Sequence, residues 1–236
     1  MKKLSTAIAL LLFCFALTSK LTAQQKISSI EFEQIINLHK NLSEDQKALK
    51  ALIPEFAKSK LEIIYNNKQA KLRKGKAESN SNVMISMNSG SNGEQFFDLQ
   101  NKKIKNFIRI DGEDFFYTED IKIAKDFTPT GKTKEILGYK CKELKNNEEG
   151  ETLYITNDLP NFLSPLPEIT VEGTILEADL KKIQFKATKI NKDQTTTENV
   201  FATPKAREIT KDQYNDLQEE KLNEMINMPG AKVIRN

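Results

Sequence analysis

Apolar residues in this chain recur at every second position in short runs, and clusters of Asn, Asp and Gly break the runs. In KISSIEFEQIINLHK, Ile30, Phe32, Ile36 and Leu38 follow that spacing, with Gln34 interrupting the row. This is the period of a half-buried strand. NLSEDQKALKALIPEF then changes to good helix formers. Ser43 with Gln46 forms a capping box and Pro54 stops the run, which predicts a short helix ending near Leu52.

The alternation resumes in SKLEIIYNNKQAKLRKGK. Leu61, Ile63 and Tyr65 share one side, NNKQ makes a turn, and Ala70 and Leu72 return, so a hairpin is expected. NVMISMNSGSNGEQFFDLQNKKIKNFIRIDGEDFFYTED continues with short Ile-, Phe- and Val-rich runs between turn clusters. Runs spaced by about ten residues suit an antiparallel meander better than a parallel sheet with crossover helices. KIAKDFTPTGKTKEILGYKCKELKNNEEGETLYITND, TVEGTILEADLKKIQFKATKIN and TTTENVFATP supply the last strands. Ile183, Phe185 and Ala187 alternate without a break. After Pro204, Thr210 and Gln213 form a second capping box, and a helix is expected from Lys211 to near Ile226. Its apolar stripe is thin, so it should lie over a sheet edge or fray. The fold class is therefore mainly antiparallel β: a meander, expected to curve into a half-barrel, with a short helix in the N-terminal region and a C-terminal helix.

The first residues set the compartment. MKKLSTAIALLLFCFALTSKLTAQQ has a basic start, an apolar run from Ala7 to Leu17 and small residues up to Ala23. That is the layout of a secretory signal, with cleavage expected after Ala23. The run is too short for a spanning helix, which needs roughly 20 apolar residues, so no transmembrane helix is expected after cleavage. Phe13 precedes Cys14 where a lipidated cysteine would follow a small residue, so Cys14 reads as signal-peptide filling. Residues 1–23 are thus expected to be a signal peptide and 24–236 a single β-rich domain.

The whole chain holds 36 basic and 33 acidic side chains. Lys2, Lys3 and Lys20 leave with the signal, and the remainder is balanced. Nothing in the charge favours nucleic acid as a partner.

Candidate chemistry is sparse. Cys141 sits in EILGYKCKELK, where Lys140 and Lys142 could lower a thiol pKa. In a strand those neighbours point away from Cys141, so it is read as a free thiol packed in the sheet. Tyr139, Cys141 and Glu143 should share one face and Lys140, Lys142 and Leu144 the other, and Gly138 should turn one strand into the next. His39 is expected at an exposed strand end, and one histidine with one thiol cannot complete a zinc site. The carboxylates in GEDFF, YTED, NNEEGE and LQEE occupy turns or a polar helix face, where solvated charge is the default. No catalytic residue, metal site or cofactor is assigned.

LPNFLSPLPEI, Leu159 to Ile169, is the segment most suggestive of binding. Its three prolines exclude a central strand, and an apolar loop in water must cover a core opening or meet a ligand. Leu159, Phe162, Leu163 and Leu166 are the candidate contacts, and Phe162→Ala is expected to weaken binding with little loss of stability.

Several segments taken together resemble the GLPGLI family of exported proteins from Gram-negative bacteria. They are KISSIEFEQIINLHK, ALIPEFAKSKLEIIYNNKQAKL, TKEILGYKCKELK, LYITNDLPNFLSPLP and VFATPKAREITKDQY, in that order over nearly the whole of residues 24–236. The naming motif is altered. Where many members carry Gly-Leu-Pro-Gly-Leu-Ile, this chain reads PLPEITVEGTILEAD, with Leu166 and Pro167 near the first part and Gly173, Ile175 and Leu176 near the last. The resemblance implies a divergent, exported, β-rich member without established chemistry. The meander is also similar to the open half-barrel of bacterial lipoprotein carriers, which hold acyl chains in a concave sheet.

The expected function is a non-enzymatic envelope protein, in the periplasm, at the outer membrane or outside the cell. It would bind a lipid-like apolar ligand or another envelope protein through the curved sheet and its Pro-rich loop. The alternatives are a structural or assembly factor with no small-molecule site and a thiol-dependent enzyme.

Overall fold

Hairpin chemistry dominates the architecture. In the computed structural model, which describes residues 24–43, 48, 50–74 and 94–227, twelve strands form one sheet. They are β1 (Gln25–Asn37), β2 (Phe56–Tyr65), β3 (Gln69–Lys74), β4 (Gln95–Asp98), β5 (Lys103–Ile110) and β6 (Glu113–Asp120), then β7 (Thr128–Ile136), β8 (Tyr139–Asn146), β9 (Glu151–Thr156), β10 (Thr174–Leu180), β11 (Ile183–Thr196) and the two-residue β12 (Arg207–Glu208). One helix, α1 (Lys211–Asn227), follows.

The spatial order is β12-β6-β5-β4-β3-β2-β1-β11-β10-β9-β8-β7. The first strand therefore lies in the middle. β2 to β6 meander away on one side, the chain crosses to the far edge, and β7 to β11 meander back to pair with β1. All neighbours are antiparallel except β12, which runs parallel to β6.

The turns follow from their residues. Asp111 and Gly112, both at positive φ (52° and 84°), close β5–β6, and Leu137 and Gly138 (51° and 83°) close β7–β8. Two successive positive φ values match the right-handed twist of the flanking strands. The expected role of Gly138 is thus met by a two-residue turn. In the β2–β3 hairpin, Asn66 Oδ1 accepts from the amides of Lys68 and Gln69. Its register puts Ile63 opposite Leu72 and Tyr65 opposite Ala70.

The sheet curls. Tyr65 on β2 and Tyr139 on β8 are five strand spacings apart, about 24 Å in a flat sheet. Yet both belong to one buried cluster, and the Tyr139 phenol acts electrostatically on that of Tyr65. The concave side is filled by apolar side chains of the strands and of the β9–β10 connection. Phe32, Phe185, Leu153, Leu176 and Leu163 are at most 1% exposed, and each such burial contributes about 1.5–3 kcal/mol. Gln34, the interruption in the β1 row, is buried too and accepts from Ser59 Oγ at 2.6 Å. That bond lets a polar side chain occupy a core position.

Both sheet edges are blunted. β7 carries Pro129, Lys132 and Lys134 with a register shift between Pro129 and Thr133, and β12 is only two residues long. These are the devices that discourage strand addition.

Some expectations need adjusting. His39 lies half-buried in a single 3-10 turn, His39–Asn41, rather than exposed at a strand end. The helix expected after Ser43 falls on a stretch in which residues 44–47 and 49 lie outside the described residues, as do the expected signal peptide and the run NVMISMNSGSNG. Of TTTENVFATP, only Thr195 and Thr196 are strand. The rest is irregular, and Phe201 packs with Ile27 and Ile64 in a separate cluster on the convex side.

The C-terminal helix matches its signals. Gln213 N donates to Thr210 Oγ1 and Thr210 N to Gln213 Oε1, which completes the capping box. Tyr214 stacks on Tyr117 of β6 at 4.8 Å, so α1 is seated beside the sheet edge as its thin stripe implies. No helix among the described residues is long and apolar enough to cross a membrane.

Candidate functional site

The Pro-rich connection is a plug before it is anything else. Its backbone cannot join the ladder at Pro160, Pro165 and Pro167, so side chains and loop amides hold it instead. Thr174 Oγ1 donates to Pro160 O at 2.6 Å, and Phe162 N donates to Gly173 O at 2.9 Å. Ser164 Oγ donates to Leu166 O at 2.7 Å. Thr170 Oγ1 donates to Lys122 O at 2.8 Å, tying the plug to the crossing segment after β6. Ser164, Thr170 and Thr174 are fully buried, so these bonds satisfy groups that water cannot reach.

Of the four predicted contacts, Leu159, Phe162 and Leu163 are buried in the main cluster and Leu166 is half-buried against it. The expectation that Phe162→Ala would leave stability nearly intact is therefore corrected, because Phe162 is only 7% exposed. Its backbone is unusual as well, with φ at 68°. Left-handed backbone is costly for an aromatic residue and persists only where the surroundings enforce it.

At one end of the sheet the plug meets the surface. The arm Asn157–Phe162 lines an open depression of about 500 Å³ with Asn67 of the β2–β3 turn and Leu99 of the β4–β5 turn. Leu99 N donates to Lys68 O at 2.9 Å, which locks the two turns side by side. The buried and half-buried members of the depression, Leu99, Leu159, Pro160 and Phe162, are apolar, and its exposed members, Asn67, Asn157, Asp158 and Asn161, are polar. Lys102 Nζ stands over the Phe162 ring, 5.3 Å from its centre. Asn67 and Leu99 were not among the predicted contacts. Both turns were legible, but their meeting depends on the pairing of β3 with β4, and the link between those two strands lies outside the described residues.

Cys141 is fully buried and its Sγ donates to Tyr139 O at 3.5 Å. Burial pushes its thiol pKa up, and the nearby Lys134 ammonium only partly offsets that. Lys134, opposite Cys141 in the β7–β8 register, is paired with Glu177 at 2.6 Å. His39 Nε2 is instead 3.1 Å from Ile53 O. No thiol–imidazole pair forms. The expected split of faces is corrected: Leu144 belongs to the same buried cluster as Tyr139 and Cys141, and Glu143 is buried as well. Glu143 accepts from Tyr154 Oη at 2.6 Å and Thr130 Oγ1 at 2.8 Å. Those two donors hold the Glu143 carboxyl below the usual range.

The carboxylate clusters largely serve ion pairs: Asp114 with Arg109, Asp120 with Lys103, and Glu149 with Lys181. Among the described residues, no group of His, Cys, Asp and Glu is arranged to hold a metal ion.

No family model and no curated protein matches the chain. The fold is similar to that of a solved structure of PNGF-II, in both a C2 and a P21 crystal form, with a TM-score of 0.52 and 17% identity over 82% of this chain. The match spans about a third of those chains (32% and 33%). There the fold is part of a longer polypeptide.

Proposed function

We propose that this chain is an exported, non-enzymatic protein of the cell envelope, a divergent GLPGLI-like member, that binds another envelope protein at the mouth formed by the Asn157–Phe162 arm. The carrying observation is the composition of that mouth: the buried or half-buried apolar residues Leu99, Leu159 and Pro160 beside three exposed asparagines and one exposed aspartate. A small apolar core within a polar rim is the anatomy of a protein interface. Side-chain amides can both donate to and accept from a peptide backbone. A lipid-like ligand is the weaker form of the reading, because the concave face that would hold an acyl chain is already filled by Leu159, Phe162 and Leu163.

A photo-crosslinking residue at Asn161, which is exposed, tests this in exporting cells. A discrete protein adduct is expected there and none with the same residue at Lys186, on an exposed strand position away from the plug. Equal adducts at both positions, or none at Asn161, would sink the proposal. Stoichiometric lipid extracted from the purified protein would replace it with the carrier reading. The filled concave face also favours a structural or assembly factor with no small-molecule site. That reading gains if the same crosslinking residue at Glu219, exposed on α1, gives an adduct while Asn161 gives none.

A further inference from the structure

A second cleft, of about 280 Å³, lies on the sheet at the opposite arm of the meander, between β4–β6, the start of α1 and the far side of the plug at Pro167 and Glu168. Its inner wall is a run of polar side chains placed among core isoleucines. Gln95 Nε2 donates to Asn106 Oδ1 at 3.0 Å, and Asn106 Nδ2 donates to Glu119 Oε1 at 2.8 Å. Lys211 Nζ donates to Tyr117 Oη at 2.9 Å and lies 4.0 Å from Glu119 Oε2. Asn106 is only 8% exposed and sits on β5 between Ile104 and Ile108, both buried. An apolar residue there would complete the row, and a buried polar network is costly unless every member is satisfied. These residues do not exhaust their capacity on one another. Gln95 Oε1, the Tyr117 hydroxyl proton and further Lys211 N–H groups remain for a ligand.

We propose that this cleft binds a single neutral polyhydroxylated ring, that is, a hexose. Neither sign of charge dominates the cleft: Glu119, Asp120 and Glu168 share its lining with Lys122 and Lys211, and Asp120 is already paired with Lys103 at 2.9 Å. Hydroxyl groups both donate and accept, which suits a wall of mixed amide, carboxylate, phenol and ammonium. Pro167 and Tyr214, both half-buried, give the apolar C–H face of a ring an edge to lie on, while Tyr117 is stacked on Tyr214 with Lys211 Nζ 4.2 Å from its ring centre. The volume lies just below the range of pockets for drug-sized ligands, which begins near about 300 Å³, and limits the guest to about one ring.

The test is an NMR titration of the isotope-labelled full chain with glucose, galactose and mannose, and with glucuronate and glucosamine as charged analogues. At least one neutral hexose is expected to move the side-chain amide signals of Gln95 and Asn106, with a dissociation constant of about 1–10 mM. The charged analogues should bind about tenfold more weakly or worse. Gln95→Leu should abolish the shifts while the far-ultraviolet circular dichroism stays native. If that variant does not fold, the wild-type amide shifts decide alone. Silence of both amides toward all three hexoses at about 100 mM, or equal affinity for glucuronate or glucosamine, overturns the proposal.

Discussion

Gly173 passes so close to Thr156 that a β-carbon added to it would lie 3.0 Å from the Thr156 carbonyl oxygen. The same carbon would meet Asn157 Nδ2 and Ile155 Cδ1 at 3.4 Å, and the backbone φ is 138°. Gly173 also accepts the Phe162 amide that anchors the plug. Conformation and space therefore both demand glycine. Gly173→Ala should destabilise the protein by about 1–3 kcal/mol for the strained backbone alone, with more from the contact with an unyielding carbonyl. Urea unfolding measures this, and an unchanged midpoint would contradict it.

At Phe162 two effects compete. Truncating a buried phenylalanine typically costs about 3–5 kcal/mol, and Phe162 is 7% exposed. Its φ of 68° adds a term of the opposite sign for glycine. Glycine normally destabilises ordered backbone by about 0.5–1 kcal/mol relative to alanine, but at positive φ it removes strain that alanine keeps. Phe162→Gly is thus expected to be no less stable than Phe162→Ala, with both well below the native protein. The usual order, with alanine clearly better, would mean that the left-handed backbone is not retained.

Elements governed by neighbouring residues were readable along the chain, and those governed by distant pairing were not. The β2–β3 hairpin is written in Leu61, Ile63 and Tyr65 and in the Asn66 side chain that closes its turn. The start of α1 is written in Thr210 and Gln213. The plug was recognised as a non-strand because proline has no amide to donate, but its course over the concave face depends on Thr170 reaching Lys122 and Thr174 reaching Pro160. The second cleft joins β4–β6 to the start of α1, where Lys211 lies 94 positions along the chain from Tyr117. One local hint existed. Asn106 interrupts Ile104 and Ile108 just as Gln34 interrupts Phe32 and Ile36, and both mark buried hydrogen bonds.

Cys141 should be chemically quiet. It is fully buried, its thiol pKa is raised by that burial, and the Lys134 charge that could activate it is held by Glu177. With residues 1–23 removed, Ellman's reagent should find essentially no reactive thiol in the native protein and one equivalent after unfolding. Cys141→Ala should fold. Rapid reaction in the native state would place the thiol at the surface.

Alkali should unfold this protein through its tyrosines. Three of the five, Tyr65, Tyr117 and Tyr154, have phenols pushed from 10.0 up to about 12. Burial is the main cause at Tyr65 and Tyr117, and the Glu143 carboxylate that accepts its hydroxyl is the main cause at Tyr154. A phenol with a raised folded-state pKa keeps its proton while the unfolded chain loses it. The stabilisation is complete below pH 10.0 and is lost as pH rises toward about 12. Phenolate absorbance should show the native protein titrating later than the urea-unfolded chain, and the urea midpoint should fall steadily across that interval. Tyr154→Phe should remove one late-titrating group, because it deletes the phenol while leaving the ring against Lys134. If the native and unfolded titrations superimpose, these hydroxyls are in water, and neither the Glu143–Tyr154 bond nor the buried seats of Tyr65 and Tyr117 exists in solution.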